Sequence, residues 1–356
     1  MKDDYLWDGS GEPDPEIQKL ETALGRYRHD GPVPSFEQIP EIRVASPRRR
    51  FLKFRLSFAF GAIAAVLLVA ATVFFGLRPK PVSHPGPAWE VARLEGAPRV
   101  GSKSIGAGSG VEKLGVGQTL VTDSSSRASV SLDETGRVEV DRGSRLRLVT
   151  SGPGRKRLSL ELGTIHATIW APPGEFVVDT PSAVAVDLGC VYTLHVDEPG
   201  ASLLRTTVGW VGFKLNGHES FIPAGAVCAT RPKVGPGTPY LEDASSAFRE
   251  ALSKFDFEPH TPAERSTLLG IILLDSRKND ALTLWHLLSR VDDMDRPRVY
   301  DRLAALAPAP PGTTREGILR LDRQMLDSWW NSLGYGDVSL WRTYEHDWSV
   351  RPPSAN

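Results

Sequence analysis

Three patterns in the 356-residue chain predict a multi-part fold: a single transmembrane helix, an all-β domain of β-solenoid or sandwich-like form, then an all-α C-terminal tail. The first pattern is an uncharged apolar run from Leu56 to Leu77. The second is a shift to period-two alternation between about Trp89 and Pro232. The third is a set of helix-start signals beyond Pro239. These patterns divide the chain into a head (1–55), a span (56–77), a spacer (78–88), a β domain (89–232) and a helical tail (239–350).

At about 1.5 Å per residue, the apolar run is long enough to cross a hydrocarbon layer roughly 30 Å thick. Its flanks are unequal: Arg48, Arg49, Arg50, Lys53 and Arg55 precede it, while only Arg78 and Lys80 follow closely. By the positive-inside rule this predicts a cytoplasmic N-terminus and an exported remainder. A cleavable signal peptide would carry a shorter apolar stretch, near the N-terminus, ending in small residues. Here the stretch begins only at Leu56 and ends Phe74-Phe75-Gly76-Leu77. A buried core helix is the remaining reading, and a run interrupted only by Ser57 and Thr72 argues against it.

A formal net charge of -1 excludes the field that would collect nucleic acid, and the one basic cluster lies where membrane lipid would be. In the head, Asp14 can cap a helix from about Pro15 to Tyr27, with Ile17, Leu20, Leu24 and Tyr27 forming one apolar stripe. So short an element cannot bury that stripe itself, so it is either a partly disordered tail or a helix that docks on a cytoplasmic partner. The spacer, Arg78 to Pro87, is Pro-rich and stiff.

In the β region, strands are expected at Ala128–Leu132, Arg137–Val140, Arg145–Val149, Leu158–Leu162, Ile165–Ile169, Phe176–Asp179, Val184–Leu188, Tyr192–Val196, Leu203–Val208 and Ala226–Thr230. Residues 232–237, Pro-Lys-Val-Gly-Pro-Gly, read as a linker by composition. Thr261-Pro262-Ala263-Glu264 then combines a cap, a first-turn proline and a capping-box glutamate. Further helices are expected at Asp280–Arg290, Arg296–Leu306 and Thr314–Leu333.

An ordered series of motifs resembles the FecR domain family. It opens with Leu120-Val121-Thr122-Asp123-Ser124-Ser125-Ser126-Arg127-Ala128 and continues through Leu160-Glu161-Leu162-Gly163-Thr164-Ile165 and Phe176-Val177-Val178-Asp179-Thr180-Pro181. Val186-Asp187-Leu188-Gly189-Cys190-Val191-Tyr192 stands where the family has G-T-x-F, and Val208-Gly209-Trp210-Val211 and Pro223-Ala224-Gly225 resemble its closing steps. The resemblance implies a regulator of a bacterial inner membrane that passes a periplasmic signal to a cytoplasmic extracytoplasmic-function sigma factor. On that implication Ile17, Leu20, Leu24 and Tyr27 are the candidate sigma-factor contact, and the exported part has a periplasmic or outer-membrane protein as partner. The chain departs from the iron-transport members of the family in having only one short helix after Leu6-Trp7 and a tail that reads as entirely helical. The alternative function is a non-catalytic structural or interaction protein of the cell envelope.

The residues give no catalytic, cofactor or metal site. The head holds His29 and no cysteine, and the other histidines never pair at metal-site spacing. Gly106-Ala107-Gly108-Ser109-Gly110 lacks the strand-to-helix register of a nucleophile elbow. Cys190 and Cys228 both fall in the exported part. A disulfide between them would close a loop of roughly 40 residues, worth about 3 to 4 kcal/mol; two buried free thiols is the other reading.

Overall fold

The computed structural model describes residues 88–215, 217–339 and 342. Its first strands are β1 (Trp89–Glu95), β2 (Arg99–Val100), β3 (Lys103–Ser104), β4 (Glu112–Leu114), β5 (Thr119–Val121), β6 (Arg127–Ser131), β7 (Gly136–Val140), β8 (Arg145–Gly152) and β9 (Arg155–Ile169). They are followed by β10 (Phe176–Asp179), β11 (Val184–Asp187), β12 (Val191–Val196), β13 (Ser202–Val208), β14 (Trp210–Leu215), β15 (His218–Pro223), β16 (Ala226–Arg231), β17 (Gly235–Pro236) and β18 (Tyr240–Leu241). One sheet has the order β4-β1-β6-β7-β9-β12-β13-β16, with β17 and β18 beside β16. The second runs β3-β2-β5-β8-β9-β10-β11-β14-β15. Among the described residues only β9 and β10 pair in parallel, so the arrangement is two facing sheets rather than the stacked coils of a solenoid.

The long strand β9 belongs to both sheets. Its first half pairs with β8 and β10, and Gly163–Ile169 pair with β7 and β12. The crossing point is Gly163, with φ of +94°, where a Cβ would lie 2.2 Å from Ser144 Oγ. Only glycine allows that bend without breaking the ladder, which is why two expected strands, Leu158–Leu162 and Ile165–Ile169, are one. Alternation then places Leu158, Leu160, Ile165, Ala167 and Ile169 in a core shared with Val130, Val138, Leu146, Leu194 and Val211.

Six helices follow: α1 (Ser246–Phe257), α2 (Pro262–Asp275), α3 (Ala281–Leu288), α4 (Arg296–Leu306), α5 (Arg315–Leu319) and α6 (Arg323–Ser332). The α2 start is the one its sequence predicts, since Thr261 and Glu264 form a reciprocal capping box. The helix expected over Thr314–Leu333 is instead two. Leu321 takes φ of +59° and Asp322 caps α6 by accepting from the Met325 N–H at 3.0 Å.

The expected serial architecture is corrected in two respects. Among the described residues no helix is long and apolar enough to cross a membrane; the run 56–77 lies outside them. The helices are also no separate tail, because Pro79–Asn356 form one compact unit. The stretch read as a linker is packed into that unit. Gly235 and Pro236 pair with Arg231 and Thr230 as strand β17, and the Gly237 carbonyl accepts from Ser220 Oγ at 2.8 Å and Cys228 Sγ at 3.2 Å. Gly237 allows that closeness, since a Cβ there would meet Phe257 Cζ at 2.5 Å.

Helix α3 closes the open side of β15, an edge strand of the second sheet. The Phe221 N–H donates to His286 Nε2 at 3.0 Å, and Arg290 Nη2 donates to the Glu219 carbonyl at 2.9 Å. His286 Nδ1–H donates in turn to the Leu282 carbonyl at 2.8 Å, which fixes the neutral tautomer. These side chains stand in for a neighbouring strand. Around them Trp210, Phe221, Trp285 and Trp330 form an aromatic seam, with centroids 5.3 Å apart for Phe221 and Trp330 and 4.9 Å for Trp285 and Trp330.

Candidate interaction face

Of the residues singled out in the sequence, Ile17, Leu20, Leu24, Tyr27, Arg48, Arg49, Arg50, Lys53 and Arg55 lie outside the described residues. Cys190 and Cys228 are free, buried thiols in separate surroundings. Cys190 Sγ donates to Asp187 Oδ2 at 2.6 Å, whereas Cys228 lies opposite Leu204 in β13 and faces the Gly237 carbonyl. Burial raises both, the Cys228 thiol to about 12 and Cys190 well above its ordinary value, with the nearby Asp187 charge adding to the latter. Both are therefore unreactive thiols at neutral pH.

The most organised polar surface is the outer face of the first sheet. Strand register puts Ser129, Glu139, His166, Thr193 and Arg205 in one row across β6, β7, β9, β12 and β13. His166 sits between two partners, with Nδ1 3.0 Å from Thr193 Oγ1 and Nε2 2.8 Å from Asp141 Oδ2. Asp141 also accepts from Arg127 Nε at 3.0 Å, and Arg127 reaches Glu139 at 3.4 Å and Glu95 at 3.5 Å. Arg142 closes the chain on Glu95. Burial acts to raise the Asp141 carboxyl, but His166 and Arg127 outweigh it and hold it below its usual range. A second cross-strand pair, Thr164 with His195 at 2.9 Å, lies beside this network.

Hydroxyl, imidazole and carboxylate in sequence resemble an acid–base relay. Acyl transfer also needs oxyanion donors aimed at a reacting atom, and on this face the neighbouring backbone N–H groups belong to the β7–β9 and β9–β12 ladders. The arrangement offers recognition chemistry, a charged lattice already paired and fixed in place. At one end of the face the character changes. Thr168, Val191 and Val208 are successive partners across β9, β12 and β13, and two residues past Thr168 stands Trp170, with 68% of its surface exposed. Val208 is 53% exposed. A tryptophan so exposed, at the end of a face that also carries Val208 and a polar network, has the make-up of a protein-contact hot spot.

Sequence reading did not find this constellation. Asp141, His166 and Thr193 are far apart in the chain and meet only through register, although the alternation in Ile165-His166-Ala167-Thr168-Ile169 is a local signal from which the outer position of His166 could have been found. Trp170 carried a usable signal, because it continues that alternation on the solvent side.

No curated protein matches the chain. Two crystal structures of a proposed anti-sigma factor from Parabacteroides distasonis are similar at 14% identity and a TM-score of 0.31, and each alignment covers 37% of this chain. It spans 63% of one of those chains and 62% of the other. The family model described as FecR protein matches residues 118–209. That segment contains β5 to β13, including His166, Trp170, Thr193 and Val208, and the chain thus carries a FecR domain.

Proposed function

We propose that this protein is a regulator of sigma-factor activity that works through protein–protein contacts. The carrying observation is the FecR domain at residues 118–209. A face of paired charges ending in an exposed tryptophan supports a role in binding. In this reading a partner engages the Trp170 end of the domain, and the consequence reaches a sigma factor held by the head through Ile17, Leu20, Leu24 and Tyr27. The placement that goes with it, head in the cytoplasm and β–α unit in the periplasm, rests on the charge asymmetry of residues 48–80 alone.

The test is co-purification of the full chain with its bound proteins, wild type against a Leu20→Asp, Leu24→Asp double variant. A sigma factor retained by the first and lost by the second supports the reading. Its absence from both leaves the cell-envelope interaction role in its place.

A further inference from the structure

The outer face of the second sheet carries a basic strip on β2, β5 and β8. Leu146 and Leu148 point into the core, so Arg145 and Arg147 point outward; by the same alternation Arg99, beside buried Val100, points outward too. Register places Arg99 opposite Val121 and Val121 opposite Arg145, with Thr119 opposite Arg147. Arg145 and Arg147 are therefore about 7 Å apart along one strand, and Arg99 lies about 10 Å from Arg145 across β5. Among the described residues the strip makes one ion pair, Arg145 with Glu161 at 3.7 Å. Arg99 and Arg147 make no ion pair among the described residues.

Further along the same face the sheet already binds a carboxylate: Arg157, outward by the same alternation, takes Asp179 through two bonds, Nε at 2.7 Å and Nη2 at 2.6 Å. The strip repeats that fork chemistry without supplying the acids.

We propose that this strip docks an acidic, extended segment of a partner protein whose carboxylates recur at positions i and i+2. An extended chain places such carboxylates about 7 Å apart on one side, matching Arg145 and Arg147. The half-buried Thr119 and Val121 between the arginines give the intervening side chains a surface to lie on. A single-stranded nucleic acid would call for aromatic platforms between the cations, and the strip has threonine and valine there. The inference stands on the strip alone and does not depend on the sigma-factor reading.

The test uses the full chain and a labelled peptide of alternating Glu and Thr, followed by fluorescence anisotropy. The control peptide has the same composition with its glutamates consecutive. The alternating peptide should bind several-fold more tightly, more weakly as salt rises. Arg145→Ala with Arg147→Ala should weaken it by about tenfold, the equivalent of about 1.4 kcal/mol. Arg137→Ala, on the other sheet, should leave it unchanged, and Glu161→Gln, which removes the competing carboxylate, should tighten it. Equal binding of the two peptides, undiminished binding by the double variant, or binding of inorganic polyphosphate but of neither peptide would overturn the proposal. Should the double variant fold poorly, the Glu161→Gln and two-peptide comparisons still decide it.

Discussion

Asp187 in the sandwich and His286 in the helical segment are almost equally sealed from solvent, at 1% and 2% exposure, and burial moves them in opposite directions. Burial pushes the Asp187 carboxyl up to about 7, against the pull of donors from Cys190 and Gly189. It pulls His286 down to about 3, with the positive charge of Arg290 adding to the effect. Each group is most comfortable neutral. In the sandwich burial outweighs the thiol and backbone N–H that donate to the carboxyl and would favour its charged form; the helical segment needs a neutral histidine because the Phe221 N–H requires an acceptor. The comparison separates two ways of building one compact unit. Alternating apolar residues make the sandwich, and side chains bonded to backbone attach the helices to its edge.

The largest expected effect comes from breaking the attachment. Trp330 is fully buried among Trp210, Phe221 and Trp285, so Trp330→Ala should cost about 3 to 5 kcal/mol. Because residues 232–237 are packed, denaturant unfolding followed by circular dichroism should show one transition moved to lower denaturant. Two resolved transitions would mean that the helices are an independent tail. On the sandwich side, Gly163→Val should cost about 3 kcal/mol, combining a positive φ with overlap against Ser144. The same measurement checks it, and an unchanged midpoint would show that β9 does not need its bend.

The titrations give the next effect. Between pH of about 4 and 7 the native state keeps the Asp187 proton that the unfolded state has lost, so this group removes stability as pH rises. Between pH of about 6.5 and 3 the unfolded state binds a proton at His286 that the native state refuses, so this group removes stability as pH falls. The slopes oppose each other, each up to about 1.4 kcal/mol per pH unit, and largely cancel near pH 5. Asp187→Asn should therefore be most stabilising, relative to wild type, above pH 7. His286→Gln should flatten the acid limb while lowering stability at neutral pH. Thermal melts across this range measure both, and parallel profiles for the two variants would refute the opposition.

The difference between the regions also explains what could be read from the chain. Strands such as Arg137–Val140 were legible because period-two alternation is a local property. Gly163 was visible as a glycine, but not as a crossing, because only contact with Ser144 shows that the chain bends there without stopping. The β14–β15 hairpin and the seam were hidden: Phe221, His286 and Arg290 are joined through backbone groups, and backbone groups leave no trace in composition. The residues read as a linker misled for a related reason, since Gly235 and Gly237 mark close approach as readily as flexibility. The interaction face falls between these cases. Its alternation was legible, and its pairing was a matter of register.

The smallest effect on stability should come from the residue with the largest expected effect on binding. Trp170 lies at the end of β9 with most of its ring in solvent, and its backbone N–H donates to the Thr135 carbonyl at 2.8 Å, a bond that any side chain there would preserve. Trp170→Ser should therefore change unfolding free energy by less than about 0.5 kcal/mol. Truncating a central hot-spot tryptophan costs about 2 kcal/mol or more in a protein contact, so a partner captured by the wild-type chain should be lost from the variant. Val208→Ser should act in the same direction and more weakly, because less apolar area is removed. Loss of stability without loss of partner would assign Trp170 to the sandwich, as packing. Loss of partner at unchanged stability would separate the two regions by role as well as by construction, with recognition on the FecR face and cohesion in the seam.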